Sequence, residues 1–187
     1  MGHIYLYSGD GAGKTTNALG LVIRELGHEK NVLMIQFLKW KKDTGEMLFS
    51  QFWQNVVADN PHNGIIGEFQ CYQFGREGWH GFNNLITEDF FLAQEGLLFA
   101  HDAVNGIKGT LKHVDLLILD EINLAVHLKL ITIQEVIAFL ACIPEDLNII
   151  MTGRHAPQEL MDVADVVNEV REIKAPDKLI NEKGIQW

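Results

Sequence analysis

The run SGDGAGKTT, residues 8 to 16, directly follows the apolar segment His3-Ile4-Tyr5-Leu6-Tyr7 and opens onto a helical pattern. A phosphate-binding loop needs glycines so that successive backbone N–H groups can turn toward one anion. It also needs a lysine for the outer phosphates and a Ser or Thr hydroxyl for a metal ion. Gly9, Gly11, Gly13, Lys14 and Thr15 meet these needs, and Gly9, Asp10, Gly11, Ala12, Gly13, Lys14, Thr15 and Thr16 form the candidate binding set. The match is one residue short of the usual pattern, because Ser8 stands where the first glycine normally falls. A strand feeding such a loop and then a helix belongs to a parallel α/β sheet.

The rest of the chain agrees with that fold class. Apolar runs recur at IYLY, Val32 to Leu38, Phe69 to Phe74, Val114 to Leu119, Leu147 to Met151 and Val166 to Ile173. Most are near-continuous rather than alternating, as in a parallel sheet covered on both faces. Helices are expected from about Thr15 to Leu26, stopped by Gly27, and from Thr87 to about Ile107, with Glu88 and Asp89 in the first turn. A third begins at Thr132, where Thr132 and Glu135 have capping-box spacing, and a fourth has Pro157 in its first turn. The expected fold is a doubly wound, mostly parallel α/β sheet of the P-loop NTPase (RecA-like) kind. It forms a single domain over residues 1–187 with excursions at 43–68 and 74–84. The first excursion holds an amphipathic piece, Met47 to Val57; the second is FGREGWHGFNN.

Composition narrows the function classes. A net charge of -10 works against a nucleic-acid partner, and no run of 18 or more apolar residues exists to span a bilayer. No secretory leader precedes the first apolar run, so a cytoplasmic location is expected. Cys71 and Cys142, each in an apolar segment, read as buried reduced thiols. The dense basic run Lys39-Trp40-Lys41-Lys42 is either a solvated loop or a contact to an anionic ligand.

Two further segments carry chemistry. VDLLILDE, residues 114 to 121, delivers Asp120 and Glu121 at the carboxyl end of an apolar strand, where open α/β sheets bind ligands. With the cradle, Thr15, Asp120 and Glu121 become the candidate Mg²⁺ (or Mn²⁺) set. IIMTGRHAP, residues 149 to 157, brings Thr152, Gly153 and Arg154 to the end of another strand, where Arg154 is a candidate to stabilise negative charge. The eight His show neither a Ser/His/Asp grouping nor metal-ligand spacing; His80 and His155 alone lie beside proposed site loops.

Taken together, SGDGAGKTTNALG, QFLKW with Gly45-Glu46, LLILDEINLAV, TGRHAPQELMDVADVVNEVREIK and the terminal KGIQW resemble the P-loop type of ATP:corrinoid adenosyltransferase. That family adenosylates cob(I)yrinic acid a,c-diamide and cobalamin. The resemblance implies that a corrinoid Co(I) attacks the 5′ carbon of ATP while inorganic triphosphate leaves, with ATP and reduced corrinoid as substrates and Mg²⁺ as cofactor. It implies that Gly9 to Gly13 wrap the triphosphate, that Lys14 neutralises its charge, and that Thr15 and Glu121, with Asp120 close by, hold the metal. The loop at 74 to 84 would face the corrinoid, with Trp79 displacing the lower axial ligand and Phe74 or Phe82 as substitutes. A homodimer and an electron-donating reductase or flavoprotein are also implied.

Departures from the family form mark where its properties are expected to shift. Asp10 and Ala12 replace the Asn and Lys of GNGKGKT, Glu77 stands where a Phe two before Trp79 is familiar, and residues 47 to 66 are longer than usual. The chain also starts at the first strand, without the segment that covers the corrinoid in some members. Two other functions fit a P-loop: γ-phosphoryl transfer by an ATPase or kinase with Arg154 as its arginine finger, and non-catalytic, ATP-dependent escort of a corrinoid.

Overall fold

A computed structural model describes residues 2–59, 67–78, 81–107, 111–176 and 182–185. Six strands form one parallel sheet: β1 (Ile4–Ser8), β2 (Val32–Phe37), β3 (Phe69–Phe74), β4 (Leu116–Asp120), β5 (Asn148–Thr152) and β6 (Val166–Glu169), in the order β3-β2-β4-β5-β1-β6. The central strands are buried on both sides, which is why their sequences read as near-continuous apolar runs. Successive side chains still go to opposite faces. Leu33, Ile35 and Phe37 pack with one set of helices, while Val32 and Met34 pack with the other.

Helices α1 (Lys14–Gly27) and α2 (Gly45–Asp59) cover one face through Ala18, Val22, Leu26 and Met47. The opposite face carries α3 (Thr87–Val104), α4 (Ile122–His127), α5 (Ile133–Leu140) and α6 (Gln158–Val163), through residues such as Ala93, Ala100, Ala125, Val136 and Leu160. The amphipathic piece expected at Met47 to Val57 lies in α2. Phe49 stacks on Trp53 and meets Phe69, and the Trp53 indole N–H donates to the Gly67 carbonyl at 2.8 Å.

Several boundaries differ from the sequence reading for physical reasons. The last strand ends at Glu169 rather than Ile173, because beyond it the Val170 carbonyl accepts from the Gly11 N–H at 2.9 Å and is committed to the phosphate loop. Helix α3 begins after Ile86, whose N–H donates to Asp89 at 2.8 Å, and it ends at Val104. Helix α4 was not expected: it is six residues long and buried except for His127, so it has no 3.6-residue stripe. Cys71 is buried as expected, whereas Cys142 is exposed, because the apolar pattern of α5 stops at Leu140 and Cys142 lies in the turn beyond.

The capping box forms as its spacing requires. The Glu135 N–H donates to Thr132 Oγ1 at 3.2 Å, and the Thr132 N–H and hydroxyl both donate to Glu135 Oε2, at 2.7 and 2.6 Å. The Thr132 hydroxyl and N–H lower the Glu135 pKa. Because the folded-state value is depressed, this stabilisation is present above the ordinary carboxylate range and is lost as pH falls through the folded-state pKa. We expect Thr132→Ala to cost about 1 kcal/mol near neutral pH. Denaturant unfolding followed against pH should show that penalty shrinking in acid; a pH-independent penalty would contradict the Glu135 contact.

Candidate functional site

All six strands point their carboxyl ends to the same edge of the sheet, and the sequence motifs meet there. The loop after β1 is shaped by close approach. Gly9 has φ 103°, and a Cβ on it would collide with the Val170 carbonyl. Ser8, which stands where the usual loop has glycine, is buried, and its hydroxyl accepts from the Ala156 N–H at 3.2 Å. That departure therefore ties the phosphate loop to the loop after β5.

Lys14 is buried, and its ammonium donates to the carbonyls of Gly9 at 2.6 Å and Gly11 at 2.8 Å. Desolvation pulls its pKa down, with Arg154 acting in the same direction and Glu121, Asp10 and Asp120 opposing. Asp10 thus places a negative charge within reach of the cradle lysine. Ala12 and Thr16 are exposed at the mouth of the loop and on α1.

Asp120 is the centre of the site and is 0% exposed. Its Oδ1 accepts from the hydroxyls of Thr15 at 2.9 Å and Thr152 at 2.7 Å. Its Oδ2 accepts from the Lys39 ammonium at 2.7 Å and the Gln36 amide at 2.9 Å. The parallel register accounts for part of this, since Gln36 is the direct partner of Asp120 on the neighbouring strand. Burial works to raise the Asp120 pKa, but the Lys39 charge and the hydrogen bonds from Lys39, Thr152 and Thr15 outweigh it and hold the carboxyl below its usual range. For Lys39 burial also opposes the charge, and Asp120, Glu46 and Glu121 together raise its pKa.

Glu121 follows at once in a left-handed conformation, φ 65°, with its N–H donating to Thr152 Oγ1 at 3.0 Å. Burial, then the neighbouring Asp120 charge, pushes its carboxyl upward, and its Oε2 is buried without a hydrogen-bond partner. Arg154 is exposed, and its charge is felt by both Glu121 and Lys14. His155, with φ 55°, packs its ring against that of His127, centroids 4.5 Å apart and the planes tilted by 32°. Trp79 and His80 lie outside the described residues. The neighbouring segment lines two hollows: one with Phe74, Arg76, Phe82 and Leu85, and an open cavity of 660 Å³ with Trp40, Lys41, Lys42, Gln73 and Glu77.

The structure thus brings together Gly9, Gly11, Lys14, Thr15, Asp120 and Glu121, with Arg154 at the rim. Sequence reasoning missed the roles of Gln36, Lys39 and Glu46. Within the run 39–42, Lys41 and Lys42 are exposed, whereas Lys39 is partly buried and ion-paired to Asp120; Gln36 also donates to Glu46 at 3.0 Å. Two polar residues inside the otherwise apolar QFLK run were the available signal.

A glycine-rich loop between a parallel strand and a helix, with its lysine and its threonine facing an acidic strand end, defines a P-loop NTPase-like α/β protein. Residues 1–187 match the family model described as ATP:corrinoid adenosyltransferase BtuR/CobO/CobP, and the chain belongs to that family of transferases. It is 32% identical over 175 residues to the corrinoid adenosyltransferase CobA of Salmonella typhimurium, covering 92% of this chain and 78% of that protein. It is 27% identical over 190 residues to the corrinoid adenosyltransferase of Pseudomonas aeruginosa, covering 100% and 84%. An uncharacterized protein of Nostoc sp. is 30% identical over 184 residues, covering 94% of this chain but 45% of the Nostoc protein, so the chain spans about half of that relative. Among the described residues no helix is long and apolar enough to cross a membrane.

Asp120→Asn removes the nearer carboxylate beside the Lys39 ammonium and leaves Glu46 Oε1 at 3.9 Å. In the nucleotide-free protein we expect it to cost on the order of 3 kcal/mol. Denaturant unfolding measures this, and an unchanged midpoint would show that the buried pair does not hold in solution.

Proposed function

We propose that the chain transfers the 5′-deoxyadenosyl group of ATP to the Co(I) centre of a reduced corrinoid. The cobalt electron pair forms the Co–C bond as the C5′–O bond breaks, and inorganic triphosphate leaves with the bonding pair. The observation that carries this reading is the family match along residues 1–187, met by a cradle and an acidic strand end at one edge of the sheet. No water needs to be deprotonated, so no general base is required. The loop from Gly9 to Gly13 wraps the triphosphate with its backbone N–H groups other than that of Gly11, which is bonded to Val170, Lys14 leaves the carbonyls of Gly9 and Gly11 to meet the outer phosphates, and Arg154 adds charge at the rim.

The residues present fit Mg²⁺ or Mn²⁺. The Thr15 hydroxyl and the Asp120 carboxylate are adjacent, and the buried Glu121 Oε2 lacks a partner. Among the described residues no group of three or more His, Cys, Asp or Glu could hold a metal alone, so phosphate oxygens and water would complete the shell. When bound, the cation neutralises charge on the departing triphosphate. Trp79, with Phe74 and Phe82 as substitutes, is assigned to the corrinoid face on the family resemblance. A cytoplasmic homodimer of single-domain chains, supplied with electrons by a reductase or flavoprotein, completes the proposal.

With ATP, Mg²⁺ and chemically reduced corrinoid, the visible spectrum should develop that of an adenosylated product. Lys14→Ala should lower kcat by about 10²-fold or more; a wild-type rate in that variant would overturn the assignment of the cradle. Asp10→Asn removes a negative charge beside Lys14 and should tighten inorganic triphosphate several-fold, more strongly at low salt. Calorimetric titration reads this directly, and unchanged affinity would remove Asp10 from the binding set.

A further inference from the structure

The Lys39 ammonium is seated among oxygens in a partly buried position. It lies 2.7 Å from Asp120 Oδ2, 3.9 Å from Glu46 Oε1, and donates to Thr15 Oγ1 at 3.4 Å. Two of these three oxygens belong to side chains to which the proposed function gives a divalent cation. The backbone holds the lysine there. Leu38 has φ 62°, a left-handed conformation that a Leu adopts only under constraint, and its N–H donates to the Phe74 carbonyl at 3.0 Å. Gly75 packs directly on the same peptide, where a Cβ would come within 2.5 Å of Leu38 C and Lys39 N.

An ammonium and a divalent cation cannot share these oxygens, because like charges a few ångströms apart in a partly buried site repel strongly. The Asp120 charge is already balanced by Lys39, which leaves the free protein with a poor cation position. We propose that Lys39 is an internal counter-cation that closes the divalent-metal position of the nucleotide-free protein, so that the metal enters only together with the triphosphate. The triphosphate supplies both the missing oxygens and the negative charge that stabilises a second cation beside the displaced ammonium. The same charge pair explains how a fully buried Asp120 is tolerated when no nucleotide is present. This inference rests on the proposed metal role of Thr15 and Asp120.

The test is Mn²⁺ binding without nucleotide, read from the electron paramagnetic resonance signal of free Mn²⁺. Lys39→Met and Lys39→Gln should bind Mn²⁺ alone about tenfold more tightly than wild type, or better. Mg²⁺ alone should raise the melting temperature of both variants while leaving wild type unmoved. If removing the charge impairs folding, refolding with Mg²⁺ should restore the variants, and failure of Mg²⁺ to restore either one overturns the proposal. Folded variants that bind Mn²⁺ no more tightly than wild type also overturn it. Asp120→Asn, measured with Mn²⁺ and inorganic triphosphate, separates the two layers. Loss of Mn²⁺ there, with Lys39 variants matching wild type, sinks only the Lys39 proposal; unchanged Mn²⁺ binding sinks the metal assignment and this proposal with it.

Discussion

A carboxylate with no solvent exposure at the end of a central strand is the constraint around which this molecule is organised. Burying the Asp120 charge is costly unless it is paired and fully hydrogen-bonded. The fold meets that demand with four groups from three other elements and a loop: Thr15 of α1, Gln36 of β2, Lys39 in the loop after β2 and Thr152 of β5. Removing any one leaves a buried acceptor short. A well-packed apolar residue would serve stability at least as well, so the arrangement is better explained by the charge it prepares than by the energy it contributes.

The same edge of the sheet is cross-tied by its loops. The phosphate loop is bonded to the segment after β6 through Val170 and to the loop after β5 through Ser8. The Asn123 amide donates to the carbonyls of Tyr7 and Gly153, joining α4 to the end of β1 and to the loop after β5. Such ties fix the relative positions of Lys14, Asp120, Glu121 and the rim before a substrate arrives. In a transfer driven by orientation and by stabilising a departing anion, preorganisation of this kind is what the protein contributes.

The sheet was legible in the sequence because its central strands β2, β4 and β5 are covered on both faces and are therefore largely apolar. The cradle was legible because its glycines and Lys14 are demanded by backbone geometry and phosphate charge. Helix α4 was not, since a short buried helix carries no period. The seat of Lys39 was not either: the run 39–42 read as a solvated loop or a contact to an anionic ligand, and the left-handed turn at Leu38 precedes the lysine that reaches Asp120. Glu46 lies in the sequence far from the acidic pair and reaches the cluster only through the placement of α2. Contacts made across the sheet edge depend on strand order, and spacing along the chain does not encode that order.

In the proposed transfer the cradle grips the triphosphate as one leaving group. The decisive measurement is the phosphorus-31 spectrum of the mixture after turnover with ATP and reduced corrinoid. Inorganic triphosphate should accumulate in step with adenosylated corrinoid. ADP and orthophosphate, with no triphosphate, would contradict the proposed transfer and return the site to ordinary γ-phosphoryl transfer.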